Sequence, residues 1–498
     1  IIAGAGLTGS VAFQGINTIT NAVAGAFNAV RAQGQGASFT LPTLDGTVDL
    51  ILDIDAGDAS QNYFFLTGGA MDNTVTYAYD VEFRGLTGVV QTITTYGLVA
   101  ADLDANDIAA LGQIEARMVH EIDNAGVGLI RLISDALFVD PNAGLNGIQN
   151  AVNASSNVAT AQDSIFLSAG VYGDPSNLVG GGLNIDRNIN LVGAQAGISA
   201  VTGGRDGTDA GTESILDFRN ASSTPAQGIR VTDPAGGPGV VIDGLVVQIG
   251  SSQANGIVIQ TGSGARGDIL LANNFILGGT ANPGGNNGIA TSGANGVTNL
   301  TITGNVVASV TGDGMFLDRV TGLIVQNNQI GVAGVGGGVG SDGIFVDRST
   351  IAAPLSGNTI VAAGINGLHI DRSDVSAIAG NTVVSAASGH GIFLDRPIGT
   401  AVVDGNTVDG AGINGILVQR ANFGVSVTDN VIAGADNASI GLHGIYVLNV
   451  SGSVVVDGND IAGGSLARAG DTGIVIEGVA SGSVSITDNA IASGAGSS

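Results

Sequence analysis

The 498-residue sequence contains no cysteine, no tryptophan and no lysine, and only 9 prolines. Each shortage excludes something. Without cysteine, disulfides do not hold the fold, even in an oxidising compartment. Aromatic residues are 4% of the chain, yet aliphatic ones bring the hydrophobic share to 44%. That is too apolar for intrinsic disorder. The 83 glycines have no three-residue period, which excludes collagen. No apolar run reaches the roughly 20 residues a membrane span needs. Basic charge is scarce too: 15 arginines face 42 acids, a formal net charge of −27. Nucleic acid and anionic membrane are poor partners for such a surface. Aspartate supplies nearly all the acids, and carboxylate oxygens suit Ca²⁺, so calcium is a candidate cofactor. The same charge keeps a glycine-rich, β-rich chain soluble without any metal. This composition suits a bacterial protein that is secreted or held at the cell surface. The start, Ile1-Ile-Ala-Gly-Ala-Gly6, has neither Met nor a basic region, and Ile486-Thr-Asp-Asn-Ala-Ile491 stops in mid-pattern. Both ends predict a processed piece of a longer protein.

What is present is repetition. Gly-aliphatic-x-aliphatic-Asp-Arg occurs at Gly314–Arg319, Gly343–Arg348, Gly367–Arg372 and Gly391–Arg396. A fifth copy, Gly415–Arg420, has Gln419 in place of Asp. A second marker runs in phase: Asn305, Asn328, Asn358, Asn381, Asn406, Asn430, Asn459 and Asn489, each followed closely by Val or Ile. The glycine-to-glycine steps are 29, 24, 24 and 24 residues, and self-similarity at such a period is the mark of a solenoid. Each repeat reads as three short strands. In the first, positions two and four face inward and positions three and five outward, because strand side chains alternate. The marker Asn sits at a corner, where it tolerates left-handed backbone and its amide can join a ladder along the axis.

Before residue 145 the chain changes character. Residues 1–36 form an apolar segment, with a weak amphipathic helix expected from Ile16 to Arg31. Residues 37–103 read as a small β-rich domain, with strands at 47–54, 63–66, 74–83 and 89–96. Residues 104–144 read as a helical connector. There Asp104 or Asn106 caps a helix running to about Asp123, and a second helical piece spans Val127 to Phe138. Residues 145–498 carry the repeats.

The opening of that last region resembles right-handed parallel β-helix proteins of the pectin-lyase-like class. Gly147-Ile-Gln-Asn-Ala151 is similar to their capping helix. The strand ending Ala169-Gly-Val-Tyr172 and the following Leu191-Val-Gly193 are similar to their first coil. The resemblance implies an all-β right-handed parallel β-helix of about 12–13 coils, with three strands per coil. At roughly 4.8 Å per coil it would be a rod of about 60 Å.

The first-strand face carries the candidate site. Phe345, His369 and Phe393 form an aromatic stripe, beside Asp347, Asp371 and Asp395 and then Arg348, Arg372 and Arg396. One expectation is a structural ladder in which each arginine bridges the carboxylates of two coils. Another is a groove for a polysaccharide. Gly389-His390-Gly391 is similar to a polygalacturonase motif, so Asp371, His390, Asp395 and Arg396 are the catalytic alternative. That family's other motifs are missing. The Gly337–Phe345 stretch fits a calcium nonapeptide, but only one copy exists and it reads as a loop. The leading expectation is therefore a non-catalytic structural or adhesive protein: a surface-layer, adhesin or filament subunit. Its partner would be further copies, or more chain, at an uncapped end. The alternative is a polysaccharide-active lyase or hydrolase, or a carbohydrate-binding module.

Overall fold

The computed structural model describes, before residue 98, the strands Ile2–Ala3, Ser10–Ala12 and Ser38–Thr40 and those named below, with a few flanking residues. From 98 onward it describes all but 157–161, 174–177, 179–181, 220–225, 233–238, 251–252, 262–265, 279–285, 333–336, 434–441, 462–471 and 493–498.

Three long sheets, all of parallel strands, run along residues 136–491. The first, of 11 strands, runs from Leu183–Ile185 to Thr472–Glu477. The second, of 14, runs from Ala136–Val139 to Val484–Thr487. The third, of 12, runs from Gly170–Tyr172 to Ala490–Ile491. Each strand pairs with its equivalent one coil away, so the chain is a parallel β-helix. Like residues form columns: Met315, Ile344, Leu368, Ile392 and Ile416 are successive partners, as are Asp318, Asp347, Asp371 and Asp395. The inward residues of the three sheets form one continuous aliphatic core, almost wholly inaccessible until the last coil, where Val484, Ile486 and Ile491 are about half exposed. Parallel strands cannot be joined by a two-residue hairpin, and here the chain passes through the other two sheets before it returns to pair with its own preceding coil.

Two columns explain the repeat motif. The heading glycine is required sterically: a Cβ on Gly367 would lie 2.5 Å from Val383 Cγ1 and 2.6 Å from the Gly391 carbonyl oxygen. The closing arginine turns the chain out of the first sheet. Arg319, Arg348, Arg372, Arg396 and Arg420 all have φ between 45° and 56°, a left-handed conformation that side chains other than glycine rarely adopt.

Helix α1 (Ala105–Glu115) starts where Asp104 caps it, with a reciprocal bond from the Asp104 N–H to Asp107. It ends at Glu115, short of the expected Asp123, because Met118–Val119 pairs as a strand with Phe64–Phe65. Helix α2 (Gly144–Ala154) closes the β-helix core with Leu145, Ile148, Ala151 and Val152. Gln149 exchanges two hydrogen bonds with the Asn184 backbone of the first sheet.

Two expected helices are strands. Ile16–Arg31 contains Asn17–Thr20 and Phe27–Ala32, which pair in parallel with Leu50–Asp53 and Gln61–Leu66. Long-range pairing overrides a weak helical pattern there. These pairings also cross residue 36, so the apolar start and the β-rich stretch share sheets. Val127–Phe138 contains Leu129–Arg131 and Ala136–Val139. Both strands are buried on both faces. Leu129, Leu137 and Val139 point into the β-helix core, while Ile130, Ala136 and Phe138 point into a second core built by residues 29–138 with Phe166. A doubly buried strand reads as an unbroken apolar run, which periodicity cannot separate from a helix. The connector at 104–144 therefore holds one α-helix, strands and a 3₁₀ turn at Pro141–Ala143. The expected strand at 74–83 is two, Val75–Tyr77 and Val81–Arg84. The one expected at 89–96 lies outside the described residues.

Candidate site on the first sheet

The exposed face of the first sheet carries three parallel columns, one at each end of its strands and one in the middle. At the carboxyl end lies an ion ladder. Arg348 donates to both oxygens of Asp318 (2.9 and 2.8 Å) and lies 3.0 Å from Asp347. Arg372 bridges Asp347 and Asp371 at 2.8 and 3.0 Å, and Arg396 bridges Asp371 and Asp395 at 2.9 and 3.3 Å. Arg420 closes the run on Asp395, which also accepts from Gln419 Nε2. The fifth position lies on the outward side of the strand, in register from coil to coil. In the structure Asp347, Asp371 and Asp395 are 5–7% exposed, because guanidinium groups cover them from their own coil and the next. The arginines are 39–50% exposed and form the outer layer. Stacked carboxylates repel, and interleaved guanidinium groups remove that repulsion through charge-assisted bonds.

In the middle lies the aromatic column. Phe316 and Phe345 meet edge-on at 5.4 Å. The His369 ring sits 4.5 Å from Phe345 and 4.6 Å from Phe393, stacked on the latter. Leu417 and Tyr446 continue the column.

At the amino end lies a polar column outside the Gly-to-Arg motif. It consists of the residues just before the heading glycines. The Asp313 N–H donates to Asn287 Oδ1, and the Asp342 N–H donates to Asp313 Oδ1, both at 2.9 Å. Asn366 donates its backbone N–H and its side-chain amide to Asp342 Oδ1, at 2.9 and 2.8 Å. The His390 N–H donates to Asn366 Oδ1 at 2.8 Å, and the His443 N–H to Asn414 Oδ1 at 3.2 Å. Asp342 Oδ2 accepts from His369 Nδ1 at 2.8 Å, which ties this column to the aromatic one. Burial raises the Asp313 carboxyl above its ordinary range, partly offset by its hydrogen bonds from Ser341 and the Asp342 backbone. Burial, helped by the nearby His369, lowers His390 to about 4. The signal was legible: a hydrogen-bonding residue precedes the glycine in every one of these coils.

The structure joins Asp371, Asp395 and Arg396 but not His390. Five residues of extended chain separate His390 from Asp395, about 16 Å. His390 instead packs its ring 5.0 Å from Phe393 and accepts from the Asn414 amide at 3.2 Å.

The asparagine column lies at the corner between the second and third sheets and faces inward. Each Nδ2 donates to the next Oδ1 from Asn274 through Asn489, and the same Oδ1 accepts the previous backbone N–H. Most are 0–1% exposed. The left-handed residue is not the asparagine but the one before it, such as Asn327, Gly357, Gly380, Gly405 or Asp429. The asparagine backbone stays regular so that its amide can enter the core.

Fold and columns together define a parallel β-helix protein. Residues 230–403, roughly a third of the chain, match the family model described as periplasmic copper-binding protein (NosD). No curated protein matches. Among solved structures, the A-module of the Azotobacter vinelandii mannuronan C-5 epimerase AlgE4 is 16% identical over 70% of this chain and 95% of that one, with a TM-score of 0.37. The corresponding AlgE6 module is 15% identical with the same coverage and a TM-score of 0.28. The Streptococcus pneumoniae surface protein and adhesin PfbA is 12% identical over 81% and 97%, with a TM-score of 0.21. Copper seeks imidazole, thioether and thiolate donors. Within the matched residues Met315 is in the core, which leaves two imidazoles, His369 and His390, as donors of the type copper seeks. No group of three His, Cys, Asp or Glu among the described residues could hold a metal. The donor set does not fit copper.

Proposed function

We propose that this chain is a non-catalytic structural or adhesive protein, a rigid rod that presents a repeating surface. One observation carries the reading. Along the face that would serve as an active-site groove, every stacked carboxylate of the Asp-Arg ladder is covered and bridged by arginine. Hydrolysis of a glycosidic bond needs two carboxylates open to substrate, one of them able to give up a proton. Here the acids are spent on holding coils together.

We further place the protein outside the cytoplasm, secreted or at a bacterial cell surface. The lack of cysteine, the acidic composition and the periplasmic description of the matching family support that location. The partners this reading calls for are further copies or more chain of the same kind, or a glycan. Calcium remains a candidate, tested by melting the protein with and without chelator.

The deciding test is incubation of the full chain with acidic and neutral polysaccharides, followed by assay for new reducing ends and unsaturated uronates. No product is expected. Product formation that disappears in Asp395→Asn would overturn the reading in favour of a lyase or hydrolase.

A further inference from the structure

Two imidazoles, His369 of the aromatic column and His390 of the polar column, have opposite hydrogen-bonding sense. At His369, Nδ1 faces a carboxylate oxygen, so in the neutral imidazole Nδ1 carries the proton and Nε2 is a bare acceptor. Asp342 is fixed in turn: its other oxygen takes two bonds from Asn366, and its N–H is held by Asp313. At His390, Nδ1 faces the Asn414 amide nitrogen. That amide is oriented, because Asn414 Oδ1 accepts the His443 N–H. His390 Nδ1 is therefore the acceptor and Nε2 carries the proton. Burial keeps this imidazole neutral above about pH 4.

Neither Nε2 has a partner among the described residues. The buried polar side-chain atoms without one are Asn255 Oδ1, Asp347 Oδ1 and His443 Nδ1, so both His369 Nε2 and His390 Nε2 reach solvent. Between them lies the Phe393 ring, 4.6 Å from one imidazole and 5.0 Å from the other, with Phe345 on the far side of His369. The result is an apolar platform carrying one fixed acceptor and one fixed donor. A hydroxyl group is both donor and acceptor, and sugar rings offer adjacent hydroxyls on an apolar ring face. Charge narrows the ligand class. The acids Asp313 and Asp342 lie in this column, whereas the nearest exposed guanidinium of the coil, Arg372, is three residues along the strand, about 10 Å away.

We propose that Phe345, His369, His390 and Phe393 form a binding site for an uncharged, hydroxyl-rich ligand of the neutral-sugar class. One ligand hydroxyl donates to His369 Nε2 and another accepts from the His390 Nε2–H, with the apolar sugar face on Phe393 between them. This deepens the adhesive reading above and rests on it: it names what the rod holds.

The test is titration of the full chain with cellohexaose, a neutral glucan, and with hexagalacturonate, a uronate of equal length. Calorimetry reads affinity, and imidazole nitrogen shifts read the contact. Cellohexaose is expected to bind, to move the Nε2 signals of both histidines, and to outcompete hexagalacturonate. His369→Phe should weaken cellohexaose about tenfold, the loss of one hydrogen bond. Phe already occupies this slot in the neighbouring coils, and native-state amide exchange across residues 342–395 verifies that the variant's coils remain folded. Phe393→Ala is the second variant and should also weaken binding. The site is overturned if cellohexaose does not bind, if His369→Phe binds it as well as the parent, or if hexagalacturonate binds at least as tightly. Absence of binding without product overturns this site and leaves the rod intact. Product formation overturns the non-catalytic reading instead.

Discussion

Replacing Asn381 by Ala removes one rung of the internal asparagine column. The Asn381 amide donates to Leu355 O at 2.8 Å, Ala379 O at 3.3 Å and Asn406 Oδ1 at 3.0 Å. Its oxygen accepts from the Asn358 backbone N–H at 3.1 Å and from the Asn358 side chain at 3.0 Å. The site is 1% exposed, so water does not replace these partners. At least three groups lose a bond: the Asn358 N–H, one Asn358 amide hydrogen and the Leu355 carbonyl. At about 1–3 kcal/mol for each buried group left unpaired, with some relief as the cavity relaxes, the cost is about 3–6 kcal/mol. A solenoid does not unfold as one unit, so a single melting temperature is the wrong readout. Native-state amide exchange is the right one. At about 1.4 kcal/mol per factor of ten, protection across residues 355–383 should fall by at least about a hundredfold, and remote coils should change little. Thr382→Val, on the outward side of the next strand position, is the control and should leave protection near the parent value. If Asn381→Ala exchanges like the parent, the column is ornament on a core held by aliphatic packing alone.

The remaining expectations are brief. Gly367→Ala should destabilise its coil by several kcal/mol, because the new Cβ meets backbone and core at about 2.5 Å; chemical denaturation followed by circular dichroism measures it. Asp313→Asn should stabilise the protein at pH 7. Burial raises the folded-state pKa of Asp313 above its unfolded value, so ionisation costs stability that returns as pH falls through the folded pKa. The gain over the parent should shrink as pH approaches 4, and equal gains at both pH values would refute the assignment. Arg396→Gln should cost little in stability, since that side chain is largely in solvent. It should, however, uncover Asp371 and Asp395, which faster labelling of their carboxylates by a water-soluble carbodiimide detects. Unchanged labelling would mean that the arginine column does not cover the acids beneath it.

The columns of the β-helix were readable because their causes are local and repeated. Alternation within Gly-Ile-Phe-Val-Asp-Arg fixes which side chains enter the core, and a period near 24 residues fixes what lies above what. The helix at Asp104 was readable for the same reason: its cap is a neighbour in sequence. Val127–Phe138 was not, because its two faces enter two cores and no polar face marks the period. Ile16–Arg31 was not, because the partners that make it β are thirty or more residues away. At the site, the motif showed Asp347, Asp371 and Asp395 as outward-facing, and they are. That they are nonetheless covered depends on arginines from the following coil.

The sequence by itself determined the repeat, the inward and outward positions, and the need for glycine at the head of each first strand. These follow from strand alternation and from the room a Cβ requires. Only the tertiary structure decided which acids remain open and which imidazole nitrogens carry protons. Those properties belong to groups brought together from coils some 24 residues apart, and hydrogen bonds and solvent exclusion act through space.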